Sequence, residues 1–168
     1  MRTRHLVLAL SIGLLAASPG CGGSGKTVWV TGKLLKGGAP YDPPQDQLVN
    51  VTFVALEVQD ASGKTAQTGD MYTAEIDQET AAFEVPGPDR RGIPPGKYRV
   101  AVTQKMKREA FDAASEKIKD KAKKRAFTRE TDMLADRFGT SSSPIVVQVN
   151  RSEEVTIDLD HPTAAARP

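Results

Sequence analysis

Apolar residues recur at every second position through most of this chain, in short segments set apart by turn residues, and that period restricts it to a β architecture. The pattern is clearest over 97–103, where Tyr98, Val100 and Val102 alternate with Lys97, Arg99, Ala101 and Thr103. Such alternation sends apolar side chains to one face of a sheet and polar ones to the other. Val28, Val30 and Leu34 alternate in the same way with Trp29, Thr31 and Lys33, with Gly32 inside the strand. Gly37-Gly38-Ala39-Pro40 ends that strand, and Asp42-Pro43-Pro44 makes a loop. From Leu48 to Val58 the pattern changes phase. Val49, Val51 and Phe53 share one face and Val54, Leu56 and Val58 the other, as at a bulge or in a strand buried on both sides. After the turn Asp60-Ala61-Ser62-Gly63, Tyr72, Ala74 and Ile76 predict a further strand, and Phe83 with Val85 a shorter one. Ile145, Val147 and Val149 predict another, and Val155, Ile157 and Leu159 the last, with Asn150-Arg151-Ser152-Glu153 as a hairpin connection between them. Six or seven such strands predict an antiparallel β-sandwich.

One segment breaks the period. From about Met106 to Phe138 there is no Gly or Pro and much Ala, Lys and Glu, so this insertion is expected to be helical. Phe111, Ala114, Ile118 and Ala122 fall on one helical face, which Ala126 extends. Acidic Glu109, Asp112 and Glu116 come early and Lys123, Lys124 and Arg125 late, which suits the helix dipole. A single helix over 107–126 would span roughly 30 Å. Phe127, Leu134 and Phe138 predict a second short helix after a break near Thr128. From Lys117 to Arg129 there are seven basic residues, opposed by Asp120 alone. Lys117, Lys121, Lys123, Lys124, Arg125 and Arg129 are therefore candidate contacts to an envelope protein, an anionic wall polymer or phosphate head groups. The competing reading is a helical connection that covers the sandwich and leaves its lysines solvated.

The start of the chain carries a different signal. Arg2, Arg4 and His5 precede an apolar run from Leu6 to Ala17, which is shorter than the roughly 20 residues a membrane span requires. Ser18-Pro19-Gly20 then leads into Cys21, the one cysteine of the chain. The arrangement resembles the lipobox of bacterial lipoproteins, although Ser18 and Pro19 depart from its usual residues. That resemblance implies cleavage after residue 20, acylation of Cys21 and attachment to a membrane, with the outer membrane favoured where there are two. Two or three acyl chains anchor stably, at about 0.8 kcal/mol per buried methylene. Acylation also disposes of a thiol that would have no partner in an oxidising compartment. Gly22-Gly23-Ser24-Gly25 opens a flexible tether over 21–26. The segment 161–168 lacks apolar periodicity and is expected to be a disordered tail.

Loss of residues 1–20 changes the charge balance. The 23 basic and 21 acidic residues of the whole chain become 21 of each once Arg2 and Arg4 are gone, so the remaining 148 residues are neutral overall. The basic pI then gives no argument for nucleic-acid binding, and sparse aromatic residues argue against it too.

Several segments within 27–160 resemble carboxypeptidase regulatory-like domains. They are Val30-Thr31-Gly32-Lys33-Leu34, Gly38-Ala39-Pro40, Val51-Thr52-Phe53 and Phe83-Glu84-Val85, followed by Ile93-Pro94-Pro95-Gly96-Lys97-Tyr98-Arg99-Val100. The resemblance implies a seven-stranded, Greek-key, transthyretin-like β-sandwich, to which the insertion at 106–138 is an addition. It implies an accessory role and brings no catalytic residues. The expected function is a lipid-anchored binding or structural module of the cell envelope. An accessory subunit that docks through its insertion is the alternative.

Enzymatic readings find little to build on. Hydroxyisourate hydrolases have a similar fold but use several histidines, and only His5 and His161 occur here. Ser141-Ser142-Ser143 has no base placed beside it by sequence and suits a turn before the Ile145 strand. Asp158, Asp160 and His161 offer metal-ligating groups without a second cluster to complete a site, and Asp42 and Asp46 are not tied to them. No catalytic residue, metal or cofactor is expected. Trp29 is a candidate stacking platform for a sugar, or a residue covered by the insertion.

Overall fold

The computed structural model describes residues 26–60, 62–128 and 131–162, and the backbone of 164–167. Its strands, in chain order, are β1 (Val30–Lys36), β2 (Ala39–Pro40), β3 (Gln47–Gln59), β4 (Thr65–Ala66), β5 (Met71–Thr73), β6 (Glu75–Ile76) and β7 (Ala82–Val85). After these come β8 (Gly96–Met106), β9 (Val146–Val149), β10 (Glu153–Asp158) and β11 (Ala164–Arg167). Two helices, α1 (Arg108–Lys117) and α2 (Lys121–Ala126), lie between β8 and β9. The strands make two sheets. One runs β11-β10-β1-β7-β6 with β2 paired to β1, and the other runs β4-β3-β8-β9 with β5 paired to β3.

Alternation decides which side chains meet between the sheets. Val30 and Leu34 of β1, Phe83 and Val85 of β7, and Val155 and Ile157 of β10 point inward from the first sheet. Val49, Val51 and Phe53 of β3, with Tyr98, Val100 and Val102 of β8, meet them from the second. Phe53 reaches across to Phe83 at a centroid distance of 6.1 Å and stands edge-on to Tyr98 at 6.1 Å. Each fully buried side chain of this kind stabilises the fold by about 1.5–3 kcal/mol. The architecture is mainly β and sandwich-like.

Four details differ from the sequence expectation, each for a local reason. The β3 bulge falls at Leu56, where pairing passes from Ala55–Tyr98 to Glu57–Lys97, and not at Phe53–Val54. Small Ala55 keeps the inward phase, and the extra residue then returns Val58 to the core. The expected 72–76 strand is split, since β5 pairs with β3 and β6 with β7 in the other sheet. Buried Ala74 sits at the crossing and donates its N–H to the Val51 carbonyl at 2.8 Å. Residues 150–152 join no hairpin: β9 pairs with β8, whereas β10 lies parallel to β1 in the opposite sheet. Period-two patterning marks strands but does not choose their partners. The expected frayed tail adds a strand, with Ala164–Arg167 antiparallel to β10.

The register also gives the molecule two distinct poles. Gly96 at the start of β8 lies opposite Val58 and Val149, and nearby Val28 and Ile93 exchange backbone hydrogen bonds of 2.8 and 2.9 Å. The described chain enters at this end. Met106 at the other end of β8 lies opposite Gln47, and the insertion leaves from there. Eleven residues of strand separate the two ends, about 34 Å. Among the described residues no helix is long and apolar enough to cross a membrane.

Candidate functional site

The insertion is fixed at its root and open beyond it. At the outgoing side the Lys107 N–H donates to the Asp46 carbonyl at 2.7 Å. At the returning side Asp132, only 9% exposed, accepts N–H donors from Gln104 at 2.8 Å, Leu134 at 3.1 Å and Asp136 at 3.2 Å. The Met133 N–H in turn donates to the Gln104 carbonyl at 2.7 Å, so residues 132–133 continue the hydrogen bonding of β8. The Gln104 side chain is buried as well. Its amide donates to Gln47 Oε1 at 2.5 Å and its Oε1 accepts from the Tyr41 hydroxyl. Burial raises the Tyr41 pKa above the ordinary tyrosine value; the Gln104 bond opposes this and negative Asp132 adds to it. Tyr41 therefore remains a neutral donor at physiological pH. Phe138, 2% exposed, then drops into the core and closes the root.

Between these fixed points α1 and α2 bury no residue, and neither packs extensively against a sheet. They are two helices with a break at 118–120, not one rod over 107–126. Ile118 leaves the helical conformation as the C-cap of α1, and Asp120 starts α2 by accepting from the N–H groups of Ala122 and Lys123 at 2.8 and 3.0 Å. Asp120 thus acts as an N-cap, a role worth about 1 kcal/mol. The aromatic rings close the arm on itself: Phe111 of α1 stacks on Phe127 just beyond α2, with centroids 5.1 Å apart and planes at 21°. Phe111, Ala114 and Ile118 are half-buried on the predicted face, whereas Ala122 and Ala126 are exposed. Where the sequence predicts a second short helix after Thr128, residues 133–138 form turns, with Ala135 and Asp136 at positive φ.

Lys117, Lys121, Lys123, Lys124 and Arg125 are all exposed on this arm. Among the described residues none of them meets a carboxylate, whereas Arg90 pairs with Glu75 of β6 at 3.3 Å. Arg129 and Cys21 lie outside the described residues. Trp29 is 42% exposed at the opposite pole. The arm does not cover it, because the arm leaves from the far end of β8. Trp29 is held by its backbone, donating to Ser152 Oγ at 3.1 Å and accepting from the Glu153 N–H at 3.2 Å. By alternation its ring shares the outer face of β1 with Thr31 and Lys33. Those two help line a shallow depression of about 520 Å³ together with Glu75, Glu84 and Glu154.

The other candidate groups serve local structure. Ser143 Oγ donates to the Val100 carbonyl at 2.5 Å and Ser142 Oγ to the Asp136 carbonyl at 2.6 Å. Asp158 accepts from the Asp160 N–H at 3.0 Å, and Asp160 from the Gly37 N–H at 2.6 Å. Among the described residues no group of three His, Cys, Asp or Glu side chains converges as metal ligands would. Sequence reading missed the Tyr41–Gln104–Asp132 root. Gln104 follows the outward residue Thr103 in an alternating strand, yet its partner Asp132 is 28 residues away, which no local pattern encodes. No protein-family model matches this chain, and neither a curated protein nor a solved structure matches it.

Proposed function

We propose that this chain is a lipid-anchored binding or structural module of the bacterial cell envelope, without catalytic activity. Its fold in this reading is a seven-stranded, Greek-key, transthyretin-like β-sandwich of the carboxypeptidase regulatory-like kind, with the helical arm added between β8 and β9. The chain is exported, and acylated Cys21 holds it to the outer membrane.

The observation that carries the reading is the arm itself: two helices with no buried residue, presented on a buried, hydrogen-bonded root at the pole away from the chain entry. An arm that stabilised the sandwich would bury an apolar face against it. The same observation favours the second reading, an accessory subunit that docks onto an envelope enzyme or transporter.

Anchoring is tested with Cys21→Ser. The unaltered protein is expected in the membrane fraction with an acylated amino-terminal peptide by mass spectrometry, and the variant in the aqueous fraction. Equal partition of both would sink the anchor. Docking is tested by crosslinked capture from native membranes, comparing the intact chain with one in which residues 108–127 become a short Gly/Ser linker. That replacement leaves Asp132 and Phe138 in place, so the root is retained. Partners held only by the intact chain support docking, and identical partners exclude it.

A further inference from the structure

We infer that the basic arm binds a flexible linear polyanion, with phosphate or carboxylate on successive repeats, and does not bind the charged surface of the bilayer. The inference rests on the envelope-module reading for its setting, and on the arm's own chemistry for its ligand. Lys121, Lys123, Lys124 and Arg125 fall within five consecutive residues of α2, four cations within about 6 Å of axis. At 3.6 residues per turn they spread over more than half of the circumference instead of forming one stripe. Lys117 and Lys119 extend the charge toward α1, and Asp120, the nearby acid, is occupied with the N–H groups of Ala122 and Lys123.

Three kinds of partner can be compared with this surface. A folded acidic protein would need a central apolar or aromatic anchor. Here α2 offers only Ala122 and Ala126 beside its cations, and the nearby rings of Phe111 and Phe127 are stacked on each other. A bilayer-seated helix needs a broad apolar face to sink beneath the head groups, and α2 has none. The arm leaves the sandwich at the pole about 34 Å from the point where the described chain enters. A flexible polyanion fits: it wraps round a helix, follows charges on several sides and binds by releasing its counterions without an apolar anchor. The lysine-rich composition agrees, since ammonium groups act as point charges and set no planar, bidentate geometry.

The test uses the chain as the cell makes it, purified in detergent, with fluorescently labelled inorganic polyphosphate as probe and poly-glutamate and anionic-lipid vesicles as comparisons. Its partner is a variant with Lys121, Lys123, Lys124 and Arg125 all changed to Gln, which keeps helix propensity. The unaltered chain is expected to bind polyphosphate, and to weaken about 50-fold between 50 and 200 mM salt if the four cations each release counterions as on a flexible strand. The variant is expected to lose at least tenfold in affinity for either polyanion at 50 mM salt, with an unchanged unfolding midpoint. Equal polyanion binding by the two proteins overturns the proposal. So does a variant that loses its affinity for anionic vesicles and keeps its affinity for polyphosphate. The vesicle comparison is made with Cys21→Ser in both chains, free of detergent and of acyl insertion, so failure here stays distinct from failure of the anchor.

Discussion

The ring of Phe83 fills the space that a side chain at position 32 would occupy. A Cβ built on Gly32 would lie 2.4 Å from the ring and 2.1 Å from the backbone carbonyl oxygen of Val155 on β10. Gly32 therefore lets two neighbouring strands approach β1 at once, from β7 and from β10. Gly32→Ala is expected to destabilise the protein by about 1–3 kcal/mol or more, as overpacking does. Adding Phe83→Leu relieves the ring contact but not the Val155 contact, so recovery should be partial in urea unfolding. Full recovery would mean that the backbone contact is unimportant.

Asp132 holds the returning end of the arm. Its carboxylate accepts three backbone N–H groups, and hydrogen bonds to a charged group are worth about 1.5–3 kcal/mol each. Asp132→Ala should cost about 2–4 kcal/mol and make residues 131–138 the first site of proteolytic cleavage. A variant cut no faster than the parent would remove Asp132 from the root.

The Phe111–Phe127 stack holds the arm together without touching the core. Phe111→Ala should lower helical circular dichroism and leave the unfolding midpoint of the sandwich within about 0.5 kcal/mol, as for a surface position. By contrast, Phe53→Ala in the core should cost about 3–5 kcal/mol. A large loss of global stability from Phe111→Ala would mean that the arm braces the sandwich after all.

Glu153 begins β10 with Oε1 buried and, among the described residues, unpartnered. Burial raises its pKa above the usual glutamate range, opposed by the charge of Arg151 and a backbone hydrogen bond from Asn150. The folded chain therefore holds this proton more tightly than the unfolded chain. Stability from Glu153 falls as pH rises through the interval between the two values, and stays lower at neutral pH. Glu153→Gln should be more stable than the parent at pH 7 and match it more closely below that interval. Melting curves across pH 3–8 decide it; a variant less stable at pH 7 would mean that Arg151 and the Asn150 bond outweigh burial.

Trp29 gives a direct optical check. Emission from its exposed indole should be accessible to acrylamide, and replacing residues 108–127 by a linker should leave that quenching unchanged. A rise in quenching on removal of the arm would place the arm over Trp29.

How far the sequence led can be judged from particular residues. Tyr98, Val100 and Val102 read correctly as inward because one strand's alternation is a local property. Val147 and Val155 read correctly as inward too, yet their strands belong to different sheets, and inward residues on either sheet look alike. The helical character of the arm was visible in its composition, whereas the break at Ile118 and the capping role of Asp120 depend on where the chain turns. Charge on the arm was legible from Lys117 onward. Its isolation was not, because exposure depends on what fails to pack against it.

The parallel pairing of β1 with β10 joins partners about 123 positions apart, as the hydrogen bond from Trp29 to Ser152 measures directly. When a chain emerges amino-terminus first, β1 meets β7 early but must wait across the 123 positions that separate Trp29 from Ser152 before β10 arrives. Through that interval one flank of β1 stays open to foreign strands, and closing so long a loop is slow. β10 therefore acts as the latch of the first sheet. Loss of β10 would leave an aggregation-prone edge instead of a smaller folded domain.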